Sequence, residues 1–223
     1  RLMLLGATDG QQYDSNPVIA GRFWGNGEFV AENEAYGVVL TFAAAGDDLP
    51  HPDADEEKAR MRARRARAAT GEQGEDHDQK APEATIRVAD ANGEVVRTFT
   101  AAVHQGINRV VWPLKRDGLP PLPGSDAAPG DDLPGGIEVL PGTYRFTVTL
   151  DEVSQSIDAR VLADPRAEVS MAAMQANQAM QLELQEQRAR IDAALARIVT
   201  ARRDLKTIET LIAQSDDPAA HES

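Results

Sequence analysis

The sequence predicts a mainly β chain with an α tail: an antiparallel immunoglobulin- or fibronectin-like β-sandwich followed by a long helix or helical hairpin. Three observations predict it. Between Tyr36 and Leu162, short β-branched and aromatic runs are separated by Gly, Pro, Asn and Asp clusters, the punctuation of antiparallel sheet proteins. Asn92-Gly93 lies between two alternating arms, and this dipeptide is a strong hairpin signal because both residues tolerate positive φ. After Ser170 the chain is free of Gly and Pro until Pro218, and Leu184, Ile191, Ile198, Leu205 and Ile212 recur every seven residues.

Composition bounds the function classes. A chain of 223 residues holds one substantial domain with an appendage, or two small domains. Hydrophobic residues make up 42%, enough for a core, but aromatics only 4%, so each large aromatic is expected to anchor that core. A net charge of -13 argues against binding to a nucleic-acid backbone and favours solubility in a salty or extracellular setting. The lack of cysteine excludes disulfides, thiolate zinc sites, iron–sulfur clusters and Cys nucleophiles. No window approaches the ~20 apolar residues of a membrane span, so no direct membrane insertion is expected. The start at Arg1 reads as that of a processed product or a fragment.

Residues 1–35 form an extended N-terminal segment rich in Gly, Asn and Asp. Phe23, Trp24 and Phe29 tie it down by packing on a neighbouring domain; an exposed trio would instead make a carbohydrate-stacking platform. Residues 36–164 are the sandwich domain, and Tyr36 to Ala43 (YGVVLTFA) is its first clear strand. The charged stretch 46–83 is expected to be a largely disordered insertion within a hairpin connection. Its middle, Asp55 to Ala69, has helix formers with acids at the N-terminal end but almost no apolar face; a regulatory or partner-binding arm is the alternative.

Ile86 and Val88, then Val95 or Val96 and Phe99, supply the two arms around Asn92-Gly93. Gly106 to Leu114 (GINRVVWPL) is the next strand, which Pro113 must end or confine to an edge because it cannot donate to the ladder. Residues 117–136 read as a long flexible loop. Pro141-Gly142 fits the centre of a type II turn, and Tyr144, Phe146, Val148 and Leu150 share one strand face. The last strand is Gln155 to Leu162. The expected core is Tyr36, Val39, Phe42, Ile86, Val88, Val96, Phe99, Ile107, Val110, Trp112, Tyr144, Phe146 and Val148.

Residues 165–215 form the helical tail, with Ser170 as its N-cap and 216–223 a disordered C-terminus. With Leu195 and Ile208 or Leu211 beside the sevenfold set, the tail carries an apolar stripe that calls for burial against the sandwich, a second helix or another chain.

Chemistry is sparse. His51 and His77 lie in the charged insertion, His221 in the tail, and His104 reads as a polar turn residue, so no base stands beside a nucleophile and no zinc-ligand spacing occurs. Asp47, Asp48, Asp131 and Asp132 are loop acids, Asp90 belongs to the hairpin turn, and Asp151, Glu152 and Asp158 flank the last strand. None forms a carboxylate pair of the kind glycoside hydrolysis needs. A calcium site at Asp131 and Asp132 lacks the ligand spacing of a known calcium loop. No phosphate-binding glycine motif is present. Neither a catalytic site, a metal nor a cofactor is expected.

The order of motifs carries a resemblance. AYGVVLTF, IRVADANGEVVRTF, QGINRVVWPL, a Pro/Gly-rich loop, PGTYRFTVTL, VLADPR and a helical tail follow one another. Together they resemble the C-terminal region of large bacterial proteins with sialidase-like or sortilin-like β-propellers, often labelled glycosyl hydrolases. The hairpin, Trp strand and PG-x-Y strand are also similar to the immunoglobulin-like domain of flagellar hook-capping proteins. The resemblance covers roughly residues 30–210 and rests on motif order. Asn33-Glu34-Ala35 stands where the family has Asn-Pro-Pro, and the 46–83 insertion is longer and more charged than the family's.

The resemblance implies a non-catalytic accessory module that docks on a propeller or partner subunit, in the periplasm or outside the cell. The candidate partner-binding residues are Phe23, Trp24, Phe29, Leu184, Ile191, Leu195, Ile198, Leu205 and Ile212. Two alternatives remain open. One is an interaction subunit of a larger exported or membrane-associated complex, binding through its helix. The other is a piece of a glycosyl hydrolase whose active site lies in other sequence. No propeller is present in these residues, so the family's activity does not transfer to them.

Overall fold

A computed structural model describes residues 1–13, 34–46, 48–69, 82–122 and 132–214. Along the chain run β1 (Leu2–Ala7), β2 (Gly10–Gln11), β3 (Val38–Ala44), α1 (Ala54–Ala69), β4 (Glu83–Ala89), β5 (Val95–Ala102), β6 (Gly106–Trp112), β7 (Lys115–Asp117), β8 (Gly135–Glu138), β9 (Gly142–Leu150), β10 (Val153–Leu162) and α2 (Met171–Gln214). The strands form three sheets, ordered β1-β3-β6, β2-β10-β9-β4-β5 and β7-β8, and the five-stranded sheet is strongly curled. All pairs are antiparallel except β2 with β10, which run parallel.

Alternation decides which side chains go inside. In β3, Val38, Leu40, Phe42 and Ala44 are buried and the residues between them half-buried. In β9, Tyr144, Phe146, Val148 and Leu150 are buried. Side chains of the two larger sheets share one cluster, with Trp112 at its centre, wholly buried, its ring 5.3 Å from that of Tyr144 and 5.4 Å from that of Phe146. The Trp112 indole N–H donates to the Lys115 carbonyl at 2.9 Å, so its one polar atom is satisfied inside.

The corner after Trp112 is tight. Pro113 ends β6, and Leu114, itself fully buried, takes a left-handed φ of 56° to turn the chain into β7. Gly37 packs onto the same corner at φ 126°, where a Cβ would stand 2.0 Å from the Trp112 carbonyl oxygen, so only glycine fits. The buried Asn108 side chain closes the preceding turn. Its oxygen accepts from the His104 amide at 3.0 Å, and its amide donates to the carbonyls of His104 at 2.8 Å and Gly106 at 3.2 Å.

Several expectations change. Residues 1–35 were expected to lack strands, yet β1 is an edge of the three-stranded sheet and β2 extends the five-stranded one. The 46–83 stretch does not sit in a hairpin connection, because β3 and β4 belong to different sheets; it carries α1. The loop 117–136 loses both ends to β7 and β8, which pair with each other.

The Asn92-Gly93 hairpin forms, but by a different turn. Only Gly93 has positive φ; its amide donates to the Asp90 carbonyl at 3.0 Å, and the Asp90 carboxylate takes the amides of Asn92 and Glu94 at 2.9 Å each. The turn is therefore Asp90–Gly93 with a left-handed glycine at its last position, and the ladder shifts register between Val88 and Ala89. Gly142 is likewise not a turn glycine: its φ is not positive and it opens β9 opposite Val161.

Two core expectations fail in β6 and β3 for one reason. Ile107 is 61% exposed because Asn108, Val110 and Trp112 take the inward face, and Val39 is only half-buried because Val38 and Leu40 take theirs. A run apolar on both faces hides its phase.

The tail is one helix. Ser170 accepts the Ala173 amide at 3.2 Å as its N-cap, and α2 then runs without a break for 44 residues, about 66 Å at 1.5 Å per residue.

Candidate interaction surface

Several ionisable side chains of the β body pair with one another. Arg160 clamps Asp9 through two nitrogens at 2.6 and 3.0 Å, and its own amide adds a third bond at 2.9 Å. Those bonds hold the Asp9 carboxyl below its usual range. Arg145 does the same to Asp158 across the β9–β10 pair. Arg97 bridges Asp117 at 2.9 Å, and Arg116 pairs with Glu94. Asp53 accepts the amides of Asp55 and Glu56 at 2.8 and 3.1 Å, capping α1, and these bonds lower its pKa.

The two described histidines serve local structure. His51 Nε2 lies 3.1 Å from Glu56 at the start of α1, and His104 Nδ1 lies 2.8 Å from the Gln105 carbonyl. Asp132 accepts from the Thr100 amide at 2.8 Å, joining its loop to β5. Among the described residues no group of three His, Asp or Glu side chains is placed to hold a metal ion. Asp47 and Asp131 lie outside the described residues, as do His77 and His221.

The strongest functional geometry is in α2. Its first third rests on the β body: Gln178 donates to the Glu138 carbonyl at 3.0 Å and Gln185 to the Asp117 carbonyl at 3.4 Å. A groove of about 660 Å³ separates helix and body there, lined by Tyr36, Glu138, Val169, Met174 and Gln178 among others. At its floor the Tyr36 hydroxyl donates to the Glu138 carboxylate, and the Tyr13 ring meets the Tyr36 ring edge-on at 5.0 Å. Burial, and then the Glu138 bond and charge, raise the Tyr36 pKa well above that of an ordinary phenol. A shorter apolar hollow, formed by Leu119, Ile137 and Leu184, ends near Arg188.

Beyond Arg188 the helix projects. Leu184, Ile191, Ile198 and Leu205, four of the sevenfold set, are between 55% and 61% exposed, Leu195 is also exposed, and Ile212 is half-buried. Exposed Val199, Ile208 and Leu211 widen the stripe. Six candidate residues, Leu184, Ile191, Leu195, Ile198, Leu205 and Ile212, therefore lie on one helix that leaves them largely uncovered. The other three, Phe23, Trp24 and Phe29, lie outside the described residues.

Sequence reading did not find the groove at the root of the helix. Tyr13, Tyr36 and Glu138 meet only because β2 joins β10 and β8 turns beneath α2, and no local pattern announces such pairing. A second uncovered surface is the outer face of the three-stranded sheet, where Met3, Ile107 and Val111 are exposed around Ala43 and Val39.

A stripe of aliphatic side chains on an isolated helix can exclude water only against another apolar surface. Comparison with protein-family models, with curated proteins and with solved structures finds no match for this chain.

Proposed function

We propose that this chain is an accessory interaction module: an immunoglobulin-like β-sandwich that mounts a helical arm and docks by it on a β-propeller or partner subunit. The observation that carries the reading is the uncovered sevenfold stripe of α2, on a helix whose first third alone rests on the β body. Exposing an aliphatic stripe from Ile191 to Leu211 has no benefit for a solitary domain and adds an association hazard. The arginine-locked carboxylates and the histidines spent on turns and caps also support a non-catalytic role. With this reading goes a location outside the cytoplasm, carried by the motif resemblance and the net charge of -13.

The test is titration of the chain with a propeller encoded in the same reading frame or beside it, followed by calorimetry. A triple variant, Ile191→Ser, Ile198→Ser and Leu205→Ser, serves as control. Saturable binding by the parent chain and its loss in the variant is the expected result. Binding that the variant retains, or turnover of glycosides by the chain alone, overturns the reading.

A further inference from the structure

We infer that the occupant of the α2 stripe is a second copy of this chain, its helix running antiparallel to the first. This rests on the reading of α2 as a docking surface and takes the partner subunit to be another copy, so that a propeller would reach the stripe only by displacing that copy.

The first argument is period. Leu184, Ile191, Ile198, Leu205 and Ile212 keep a strict seven-residue repeat, which on a straight helix drifts by about 20° per heptad and stays in one seam only if two helices supercoil. With these residues at heptad position a, position d holds Gln187, Ala194, Ala201 and Ile208. The two middle d residues, Ala194 and Ala201, are small, so an antiparallel partner, which sets a against d, can place Leu205 opposite Ala194 and Ile198 opposite Ala201 in the four central layers, with Ile191–Ile208 and Gln187–Ile212 layers flanking them.

The second argument is charge. The chain as a whole repels itself at -13, but α2 carries six basic and five acidic residues, a net of +1. The flanking e positions hold Arg188, Leu195, Arg202 and Glu209, and the g positions Glu183, Arg190, Arg197, Asp204 and Leu211. In a parallel pair, g faces the e position five residues on. That aligns Glu183 with Arg188 favourably but sets Arg197 against Arg202 and Asp204 against Glu209.

In an antiparallel pair e faces e and g faces g. The register that opposes Ile198 to Ala201 and Ile191 to Ile208 brings Arg197 to Asp204 and Arg188 to Glu209, each twice, with no like charges facing. Moving this register by one heptad either way sets arginine against arginine. In the single chain, Arg197, Asp204 and Glu209 make no ion pair with another described residue, while Arg188 reaches Asp192 at 3.5 Å.

The third argument is extent. The favoured register overlaps Gln187 with Ile212 of the other copy, so the seam begins where the helix leaves the β body near Arg188 and ends at the last turn of α2.

The chain has no cysteine, so single labels can be placed at will. Sedimentation equilibrium of the full chain from 1 to 200 μM, on the order of ordinary dimer affinities, should show a mass of 24.0 kDa rising to twice that value. A spin label on Thr210→Cys, at the outer f position, should report about 30 Å or more between copies, since the two labels lie 21 residues apart along the seam at 1.5 Å per residue. A parallel pair would give less than about 20 Å.

Arg197→Glu should weaken the dimer at least tenfold, and adding Asp204→Arg should restore it; in a parallel pair Arg197→Glu would instead tighten it. A mass that stays monomeric, a short Thr210 distance, or tightening by Arg197→Glu overturns the inference. A monomer that still binds the propeller overturns this inference alone and leaves the docking reading standing; loss of both sinks the two together.

Discussion

At Gly37 and Trp112, one glycine and one indole fix the corner on which the three-stranded sheet turns. Gly37→Ala forces a Cβ into the Trp112 carbonyl at a φ that L-residues avoid, and should cost about 2–4 kcal/mol in urea denaturation. Gly93→Ala, with a positive φ but open space around it, should cost only about 1 kcal/mol. Equal costs would show that close approach, not backbone conformation, had been misjudged at Gly37.

The ionisable residues give a pH signature at the same scale. Burial first, and then the Asp90 charge, push the Tyr144 hydroxyl up to about 12 from 10.0, against the opposing charge of Arg116. The fold thus favours the neutral phenol, and that stability is complete below pH 10 and lost as the pH climbs towards 12. Tyr144→Phe should flatten the alkaline limb of the melting-temperature profile. Asp9 and Asp158 run the other way: their folded values lie below 3.8, so their contribution is present above that pH and lost on further acidification. Both are exposed, so Asp9→Asn should change the acid limb only slightly.

Among the elements, α2 and β4 carry residues of the same kind with opposite duties. Ile86→Ala, in the wholly buried face of β4, should cost about 2–5 kcal/mol, whereas Ile198→Ser on the uncovered stripe should shift the unfolding midpoint of dilute chain by no more than about 0.5 kcal/mol. Comparable losses would mean that the stripe is covered within the chain.

These elements also show where the sequence is legible. β9 reads clearly because Tyr144, Phe146, Val148 and Leu150 alternate with polar residues, and the Gly- and Pro-free run with an N-cap serine announces α2. In β3 and β6, apolar residues on both faces conceal which one is inward, so Ile107 and Val39 mislead. β1 and β2 escape notice because LMLLGA is short and its pairing partner, β3, lies more than 30 residues away. The groove at Tyr36 and Glu138 depends on that same long-range pairing. The stripe itself is local and therefore legible, but its exposure is not, since periodicity records that a face is apolar and says nothing of what covers it.

Over the whole molecule, the design is a β body with a lever. Trp112, Phe146 and Ile86 bind the body together through one buried cluster, while α2 touches it by Gln178, Gln185 and the groove at its root. Ending the chain at Ser170 should therefore leave the melting temperature of the body within about 4 °C of the parent, and a collapse of the body would contradict the separation of mount and arm.

Hydrogen exchange along α2 tests the interaction arm most directly. A helix that gains little from tertiary packing opens locally at low free-energy cost, so in dilute chain the amides of residues 190–212 should exchange far faster than those of Ile86 and Phe146. Raising the chain concentration or adding the propeller should slow them by at least tenfold while leaving β4 and β9 unchanged. Exchange at 190–212 that ignores both additions would contradict the view of α2 as a docking arm.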